Sequence, residues 1–342
     1  MMENPEAPRW KQRPEGSTWG DWGPDDQLGR LNLIGPDQVL KGIAEVKEGK
    51  TFCLSLPLDL PGGNVISPVR HPPQLRPVIR NDQPYYNYQW SQADPRLTDV
   101  AADDAALIHL QYSTQWDGLA HRGSMFDIDG YGQPEPVYYN GFRGGEDIGI
   151  DAQGRSAANK LGIEQMAAHG VQARGVLVDL YTTCGESPQR EVGYDVLMRL
   201  MEAQNAELEA GDILCLWTGF DQMLLRMDGR PDADAKHRCA VLDGWDKRLL
   251  KWITDSGVAA IAADNVAVEA LGKPLPAGYR GTNLPLHEHC LFKLGVHLGE
   301  LWSLAYLSRW LTEKARNRFL LTAPPLRLSG AIGSPVTPIA TV

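Results

Sequence analysis

The segment from Gln111 to His121 combines amide, carboxylate and imidazole side chains that could bind a metal ion. If the segment is extended, Gln111, Gln115 and Asp117 lie on one face, because alternate residues of a strand point the same way. Asp117 and His121 are four positions apart, and a carboxylate and an imidazole at that spacing can share one divalent ion. The same residues also fit a polar strand edge followed by a surface turn, so the segment alone leaves both interpretations open.

Residues 286–300 form a second cluster, with three of the chain's eight histidines and two glutamates. A helix followed by a turn could bring His287 and Glu300 together. His287 and His289 cannot share one helical face, so we expect only one of them to point inward. His297 could belong to a solvated face. Each histidine taken alone fits a structural role as well as a functional one.

Five further residues are candidates for a substrate pocket. Asp264 and Asn265 directly follow a strand-like apolar run, a position that often carries pocket residues in α/β folds. A turn-forming Asp–Asn pair explains them equally well. Trp90, Trp116 and Trp217 could line an apolar pocket, although tryptophan is also a frequent core residue.

The elements that must position these side chains alternate between strand-like and helix-like segments. Short apolar runs predict strands at 175–181, 213–218 and 258–263, and apolar residues at helical spacing predict helices at 194–208 and 245–256. This order predicts an α/β or α+β fold with a mixed, largely buried sheet.

The flanking segments are less regular. Helices are expected at 36–48 and 286–298, and the Pro-, Asn- and Asp-rich stretch 61–104 predicts long loops with little regular structure. A Trp/Gly-rich arm at about 1–60 is too apolar for a disordered tail, so we expect it to pack on the body. Without a clear linker, the chain is interpreted as one domain, 1–342.

The composition argues against several classes of function. The chain has 342 residues, of which 43% are hydrophobic and 22% charged, as in a folded globular protein. A net charge of −10 without a long basic run argues against nucleic acid as a partner. No apolar run reaches the roughly 18–20 residues that span a bilayer. The N-terminus does not read as a signal peptide, and the five cysteines form no CxxC pair. We therefore expect a cytoplasmic protein.

Taken together, the two clusters resemble the putative cyclase family, which includes kynurenine formamidases and isatin hydrolases. The family motif is His-x-Gly-Thr-His-x-Asp-x-Pro-x-His, and residues 111–121 follow its spacing, with Asp117 and His121 in place. His287 and Glu300 fall on the family's C-terminal His and Glu. The similarity extends over nearly the whole chain and points to the branch that carries Gln-Trp-Asp. The further stretches that resemble this branch are 19–29, 175–179, 211–214, 263–269 and 333–335.

The sequence departs from the family motif at the metal-binding positions. Gln111 and Gln115 replace two histidines that hold one ion in the two-metal members, and an amide is a weaker ligand than imidazole. The resemblance therefore implies one divalent ion, with zinc the first expectation and manganese the second, and with Gln115 as a weak extra ligand. The complete ligand set that it implies is Asp117, His121, His287 and Glu300.

The resemblance also implies a fold and an activity. The fold is a single compact swivelling β/β/α domain, assembled into a homo-oligomer, a dimer or tetramer. The activity is that of a metal-dependent hydrolase that adds water to a small carbonyl substrate in a catabolic pathway. Ring opening of a lactone or lactam and cleavage of an aryl amide or formamide both fit. Glu300 is the first choice for the general base, with His121 and His289 as further catalytic candidates.

Three alternatives stay open. A dienelactone-type lactone hydrolase and an arylformamidase are both members of the expected class, although the loss of two histidines argues against simple inheritance of formamidase activity. Outside the enzymes, a metal-free small-molecule-binding pseudoenzyme fits the same fold. Metal content separates this last alternative from the other two.

The double variant Gln111→His, Gln115→His is expected to raise the metal content from one towards two ions per chain, because imidazole binds zinc far better than an amide does. Native activity should fall, since the second ion would occupy space used by the substrate carbonyl or by water. Titration of the metal-free variant with zinc, measured beside its turnover, checks both expectations. One equivalent bound at an unchanged rate would contradict the predicted site.

Overall fold

The centre of the fold is a nine-stranded mixed sheet. The computed structural model describes residues 8–342. The strands are β1 (Thr51–Cys53), β2 (Gln115–Asp117), β3 (Gln172–Asp179), β4 (Ile213–Trp217), β5 (Ala260–Ala263), β6 (His297–Glu300), β7 (Arg318–Thr322), β8 (Gly333–Pro335) and β9 (Ile339–Thr341). Their order across the sheet is β1-β9-β7-β3-β4-β5-β6-β2-β8. The four strands β3 to β6 are mutually parallel, and the remaining neighbours pair antiparallel.

The central strands β4 and β5 are apolar throughout, and most of β3 is apolar, because both faces of the sheet are covered. In β3, Val176 and Val178 enter one core, while Ala173 and Leu177 enter the core on the opposite face. The strands predicted at 175–181, 213–218 and 258–263 correspond to β3, β4 and β5. The predicted α/β fold with a mixed, buried sheet is confirmed.

Helices cover both faces of this sheet. They are α1 (Pro36–Ile43), α2 (Ile163–His169), α3 (Tyr181–Cys184), α4 (Tyr194–Ala203), α5 (Phe220–Met227), α6 (Lys247–Ser256), α7 (Pro285–His287) and α8 (Ala305–Glu313), with a π-helical segment at Glu288–Leu294. Single 3-10 turns occur at Gly29–Leu33, Trp90–Gln92, Tyr139–Gly141 and Ala235–His237.

The predicted helices exist but are shorter than expected. The helix expected over 36–48 ends at Ile43, and two of its apolar residues, Leu40 and Ile43, are exposed. The helix expected over 245–256 begins only after Asp246, because the Asp246 carboxylate accepts the N–H groups of Arg248 and Leu249 as an N-cap. Helix α8 was not predicted.

The helix expected over 286–298 is wrong in its last four residues, 295–298. Gly295 has φ +62° and ends the helical segment in the left-handed conformation that glycine adopts easily. The chain then enters β6, so His297 lies in a buried strand and not on a solvated face. This early stop also places Glu300 at the end of a sheet strand.

The stretch 61–104, expected as loops, instead contributes to short antiparallel ladders. Proline and asparagine are compatible with such ladders because each one is only two to four residues long and lies at an edge. Many of their apolar side chains are exposed, including those of Leu75, Ile79 and Val100. The paired segments are Gln74–Pro77 with Asp104–Leu107, Ile79–Arg80 with Gln83–Pro84, and Tyr88–Gln89 with Val100–Ala101. Other small ladders join Ser124–Phe126 with Glu135–Val137, Ile148–Ile150 with Ser156–Ala158, and Arg190–Val192 with Ala240–Leu242.

The Trp/Gly-rich arm packs on the body through Trp19. This side chain is fully buried, donates its indole N–H to the Phe292 carbonyl oxygen at 2.7 Å, and makes edge-to-face contacts with Trp10, Phe126 and Phe292. Residues 1–7 of the expected arm lie outside the described residues. Within 8–342, no helix has the length and apolarity needed to cross a bilayer.

Replacing Trp19 by alanine should lower the free energy of unfolding by about 3–5 kcal/mol, because it leaves a large cavity and an unpaired carbonyl oxygen. The matched control is Trp90→Ala, which removes a half-buried tryptophan from a 3-10 turn beside an exposed ladder and should have a smaller effect. Chemical denaturation of both variants gives the comparison. A loss well below about 3 kcal/mol in Trp19→Ala would mean that the arm contributes little to the core.

Candidate metal centre

Two antiparallel strands bring the first cluster and the end of the second together. In the pairing of β2 with β6, Gln115 lies opposite Glu300 and Asp117 opposite Leu298. Directly opposed residues share a face of the sheet, so the side chains of Gln115, Asp117 and Glu300 meet on one side. The strand expected from Gln111 begins only at Gln115, and the preceding residues form a turn.

The four residues of the expected ligand set converge at this point. Asp117 Oδ2 lies 3.6 Å from His121 Nε2 and 3.9 Å from His287 Nε2, and His287 Nε2 lies 3.4 Å from Glu300 Oε1. Ligand atoms held at about 2.0–2.2 Å around a tetrahedral zinc ion are roughly 3.3–3.6 Å apart. These three separations are close to that range. Ligand atoms of Asp117, His287 and Glu300 all lie within 4.8 Å of one another, whereas His121 borders this group of three through its approach to Asp117.

The hydrogen bonding around Asp117 also fits a cation. Asp117 Oδ2 is buried and has no hydrogen-bond partner among the described residues. A buried carboxylate oxygen without a partner is strongly unfavourable unless a cation compensates its charge. Three carboxyl groups, those of Asp117, Glu269 and Glu300, are buried around the single imidazole of His287. The donor set therefore suits one divalent ion.

Both glutamines of the altered motif lie beside this cluster. The Gln115 amide nitrogen donates to Asp117 Oδ1 at 3.2 Å and to Glu300 Oε2 at 3.0 Å, so it bridges the two carboxyl groups. Gln111 packs closely against Gly333, because a Cβ atom added at Gly333 would lie 2.5 Å from the Gln111 amide nitrogen. Gly333 in turn pairs with Asp117 across the sheet. Within residues 8–342, one buried polar atom on each side chain has no hydrogen-bond partner, Gln115 Oε1 and Gln111 Nε2.

Glu269 is the member of the site that sequence reasoning missed. Its carboxylate accepts hydrogen bonds from His287 Nδ1 at 2.8 Å and from the backbone N–H groups of His287 and Leu286 at 2.8 and 3.0 Å. This contact fixes the imidazole so that Nε2 faces Asp117 and Glu300, the arrangement typical of metal-binding histidines. Only the tertiary structure pairs Glu269 with His287, so no local spacing could have found it.

A strained turn presents Glu269 to His287. Val268 has φ +58°, an unfavourable conformation for a β-branched residue. Asn265 stabilises it, because its Oδ1 accepts the Val268 N–H at 2.8 Å while its amide nitrogen donates to the Ala240 carbonyl oxygen at 3.0 Å. Asn265, expected in the substrate pocket, is thus buried in this turn.

The electrostatics of the cluster follow from its burial. Burial alone lowers the pKa of His287, but the carboxyl groups of Glu269 and Glu300 raise it to about 9. Burial and the charge of Asp117 raise the pKa of Glu300 to about 7. A divalent ion must displace the protons held by these two groups, so metal binding weakens as the pH falls.

The structure places His289 away from the cluster. Its Nε2 lies 2.9 Å from Thr254 Oγ1 on α6, and burial, together with Lys293, lowers its pKa to about 4. The His289 imidazole is therefore neutral, and its hydrogen bond to Thr254 lies on the far side of the π-helical segment. Of the His287 and His289 pair, His287 is the one that points to the carboxylates.

Trp116 and Trp90, two of the expected pocket residues, also lie elsewhere. Trp116 is adjacent to Asp117 in β2, so it points to the opposite face, where it packs edge-on against Trp302 with ring centroids 5.0 Å apart. Trp90 begins the 3-10 turn that follows the exposed ladder segment Tyr88–Gln89, and it contacts Tyr85, Tyr88 and the Arg80 guanidinium.

Trp217 and Asp264 belong to a separate buried polar group. Asp264 Oδ1 accepts hydrogen bonds from the Thr218 N–H and hydroxyl, and Trp217 donates its indole N–H to Asp221 Oδ1 at 3.2 Å. Burial and the charge of Asp221 raise the pKa of Asp264 well above its usual range. These residues join the ends of β4 and β5, and their hydrogen bonds do not reach the metal-binding cluster.

The cluster opens to solvent on the side of His121. The His121 side chain is 19% exposed, whereas those of Asp117, His287 and Glu300 are at most 4% exposed. His121 lines a cavity of about 290 Å³ together with Arg122, Gly123, Ser124, Met125, Pro136, Val137 and Tyr138. Of the four candidate ligands, His121 is therefore the one that a small molecule must pass to approach the carboxylates.

The fold and this buried carboxylate–histidine cluster define an α/β protein with a candidate metal site at the end of a mixed sheet. A family model described as "Putative cyclase" matches residues 54–270. A crystal structure of a novel cyclase is 31% identical over 96% of this chain and 100% of its own length, with a TM-score of 0.75. The chain belongs to the putative cyclase family.

More distant structures share the fold. Isatin hydrolase A from Labrenzia aggregata, bound to benzyl benzoate, is 12% identical, covers 90% of this chain and 98% of its own, and has a TM-score of 0.54. Isatin hydrolase A from Ralstonia solanacearum is 14% identical over 85% and 91%, with a TM-score of 0.52. No curated protein matches the sequence.

Glu269→Gln should weaken metal binding about 10- to 100-fold, because the amide no longer compensates the imidazole or fixes its orientation. The matched control is Glu288→Gln, since Glu288 contacts only the Ser124 hydroxyl among the described side chains. Competition of each variant with a zinc chelator gives the affinities, independently of any activity. Unchanged affinity in Glu269→Gln would exclude a role for Glu269 at the metal.

Proposed function

We propose that this protein is a metal-dependent hydrolase that adds water to a small carbonyl substrate through one divalent ion. The observation that carries the proposal is the unpartnered, buried Asp117 Oδ2, which lies within 4 Å of both His121 Nε2 and His287 Nε2. Zinc is the ion favoured by two imidazoles and two carboxylates, and manganese is the second choice.

The chain's own residues have distinct parts in this proposal. Asp117, His121, His287 and Glu300 would hold the ion, which when bound polarises a carbonyl and activates water. Gln115 restricts the orientation of the Asp117 and Glu300 carboxyl groups through its two hydrogen bonds.

Proton transfer is assigned to Glu300. Water adds to the carbonyl carbon, the ester or amide bond breaks, and one proton must pass from the water to the leaving oxygen or nitrogen. A carboxylate that holds the ion through one oxygen keeps its second oxygen to accept a proton. His121 borders the cavity and would face the substrate. His289 is hydrogen-bonded to Thr254 of α6 and is not proposed for this step.

The substrate class is a cyclic ester or amide, or an aryl amide. The cavity beside His121 is small, at the lower end of the size range of ligand pockets. Two structures that share the fold are named isatin hydrolases, and isatin contains a cyclic amide. Dienelactone-type lactone hydrolysis and arylformamide cleavage are the competing specificities, and a metal-free binding protein is the alternative outside the enzymes. The expected homo-oligomer and cytoplasmic location stay predictions.

The decisive test compares His287→Ala with His289→Ala. Protein loaded with zinc or manganese is assayed against a panel of lactones, lactams and formamides, and its metal content is measured. His287→Ala should lose the ion and reduce turnover roughly a hundredfold or more. His289→Ala removes a nearby imidazole that points away, so it should keep both.

Two results would overturn the proposal. One is wild-type protein that stays folded but binds no divalent ion, which favours the binding protein. The other is His287→Ala protein that retains both metal and turnover.

A further inference from the structure

We infer that the substrate of the proposed hydrolase carries a carboxylate in addition to its reactive carbonyl, and that Arg122 binds this carboxylate. The inference rests on the proposed function. It concerns the cavity next to His121, which Arg122 lines together with the apolar side chains of Met125, Pro136 and Val137.

The Arg122 guanidinium has unused hydrogen-bonding capacity. Its Nε is buried and has no partner among the described residues, and its Nη2 donates only to Asn283 Oδ1, at 3.2 Å. No carboxylate of residues 8–342 forms an ion pair with it. The contrast is Arg143, close to the same wall of the cavity, whose guanidinium contacts both Asp129 and Glu135. Arg122 thus presents an uncompensated positive charge to the cavity.

A second guanidinium reinforces the positive potential. Arg70 donates from Nη1 to the Gln111 carbonyl oxygen at 2.6 Å and, within the described part of the chain, has no carboxylate partner. Arg70 and Gln111 lie together on one side of the centre, and Arg122 lines the cavity beside His121, so the two arginines place positive charge around the buried carboxyl groups.

The negative charge of the surroundings explains why an anionic substrate would need an arginine in this cavity. The chain has a net charge of −10, and the centre itself contains three carboxyl groups, so an anionic substrate would be repelled without local compensation. Of the acidic groups near the cavity, Glu288 accepts the Ser124 hydroxyl at 2.7 Å, and Glu135 contacts Arg143. A guanidinium binds a carboxylate through parallel N–H donors. It would orient such a substrate with its carbonyl towards His121.

The test uses two probes that differ only in charge, 5-carboxyphthalide and phthalide-5-carboxamide. Both contain the same cyclic ester. For the metal-loaded wild-type protein, kcat/KM should be about 10- to 100-fold higher for the carboxylate, as expected for one charge-assisted hydrogen-bonded pair. Arg122→Gln should bring that ratio close to one, and Arg122→Lys should restore part of it. Arg143→Gln, the matched control, should keep the wild-type ratio.

Calorimetric binding of the two probes separates this inference from the proposed function. If neither probe is hydrolysed but 5-carboxyphthalide still binds more tightly, and only while Arg122 is present, the substrate-charge inference stands and the proposed lactone hydrolysis fails. If both probes are hydrolysed at similar rates, or if the preference survives in Arg122→Gln, the inference is overturned and the hydrolase stands.

Discussion

Three buried carboxyl groups around one imidazole are the constraint on which the rest of this structure depends. Asp117, Glu269 and Glu300 are nearly inaccessible to solvent, and His287 lies between them. Like charges at this distance in a low-dielectric interior repel strongly. The group is stable only with protons or with a cation. That competition links the raised pKa values of His287 and Glu300 to the binding of a metal ion.

The sheet holds these side chains in fixed positions, so the repulsion between the carboxyl groups cannot be relieved by moving them apart. Asp117 and Glu300 belong to adjacent strands in a fixed register, and a slip by one residue would move one of them to the opposite face. His287 is held from the other side by Glu269, whose strained turn is stabilised by Asn265. Side chains positioned by strands and by buried hydrogen bonds lose little entropy when a ligand binds. This rigidity is the property that a metal centre requires.

The replacement of two histidines by Gln111 and Gln115 is explained by the same electrostatics. In this structure the Gln115 amide donates to two carboxyl groups and so compensates part of their charge without being an ion. A second cation close by would compete with that bridge. The two glutamines thus fit the proposed centre with one ion, in which the cavity beside His121 would take the substrate.

The sequence by itself determined the fold class, the order of the central strands along the chain, and the residue types of the expected ligand set. Apolar runs fix buried strands locally, and the motif residues carry their chemistry in their side chains. Only the tertiary structure decided that Glu269 supports His287, that His289 faces α6, and that Trp116 belongs to the core behind the site. The physical reason is that these roles depend on strand register and on contacts between residues far apart in sequence. Neither appears in local spacing.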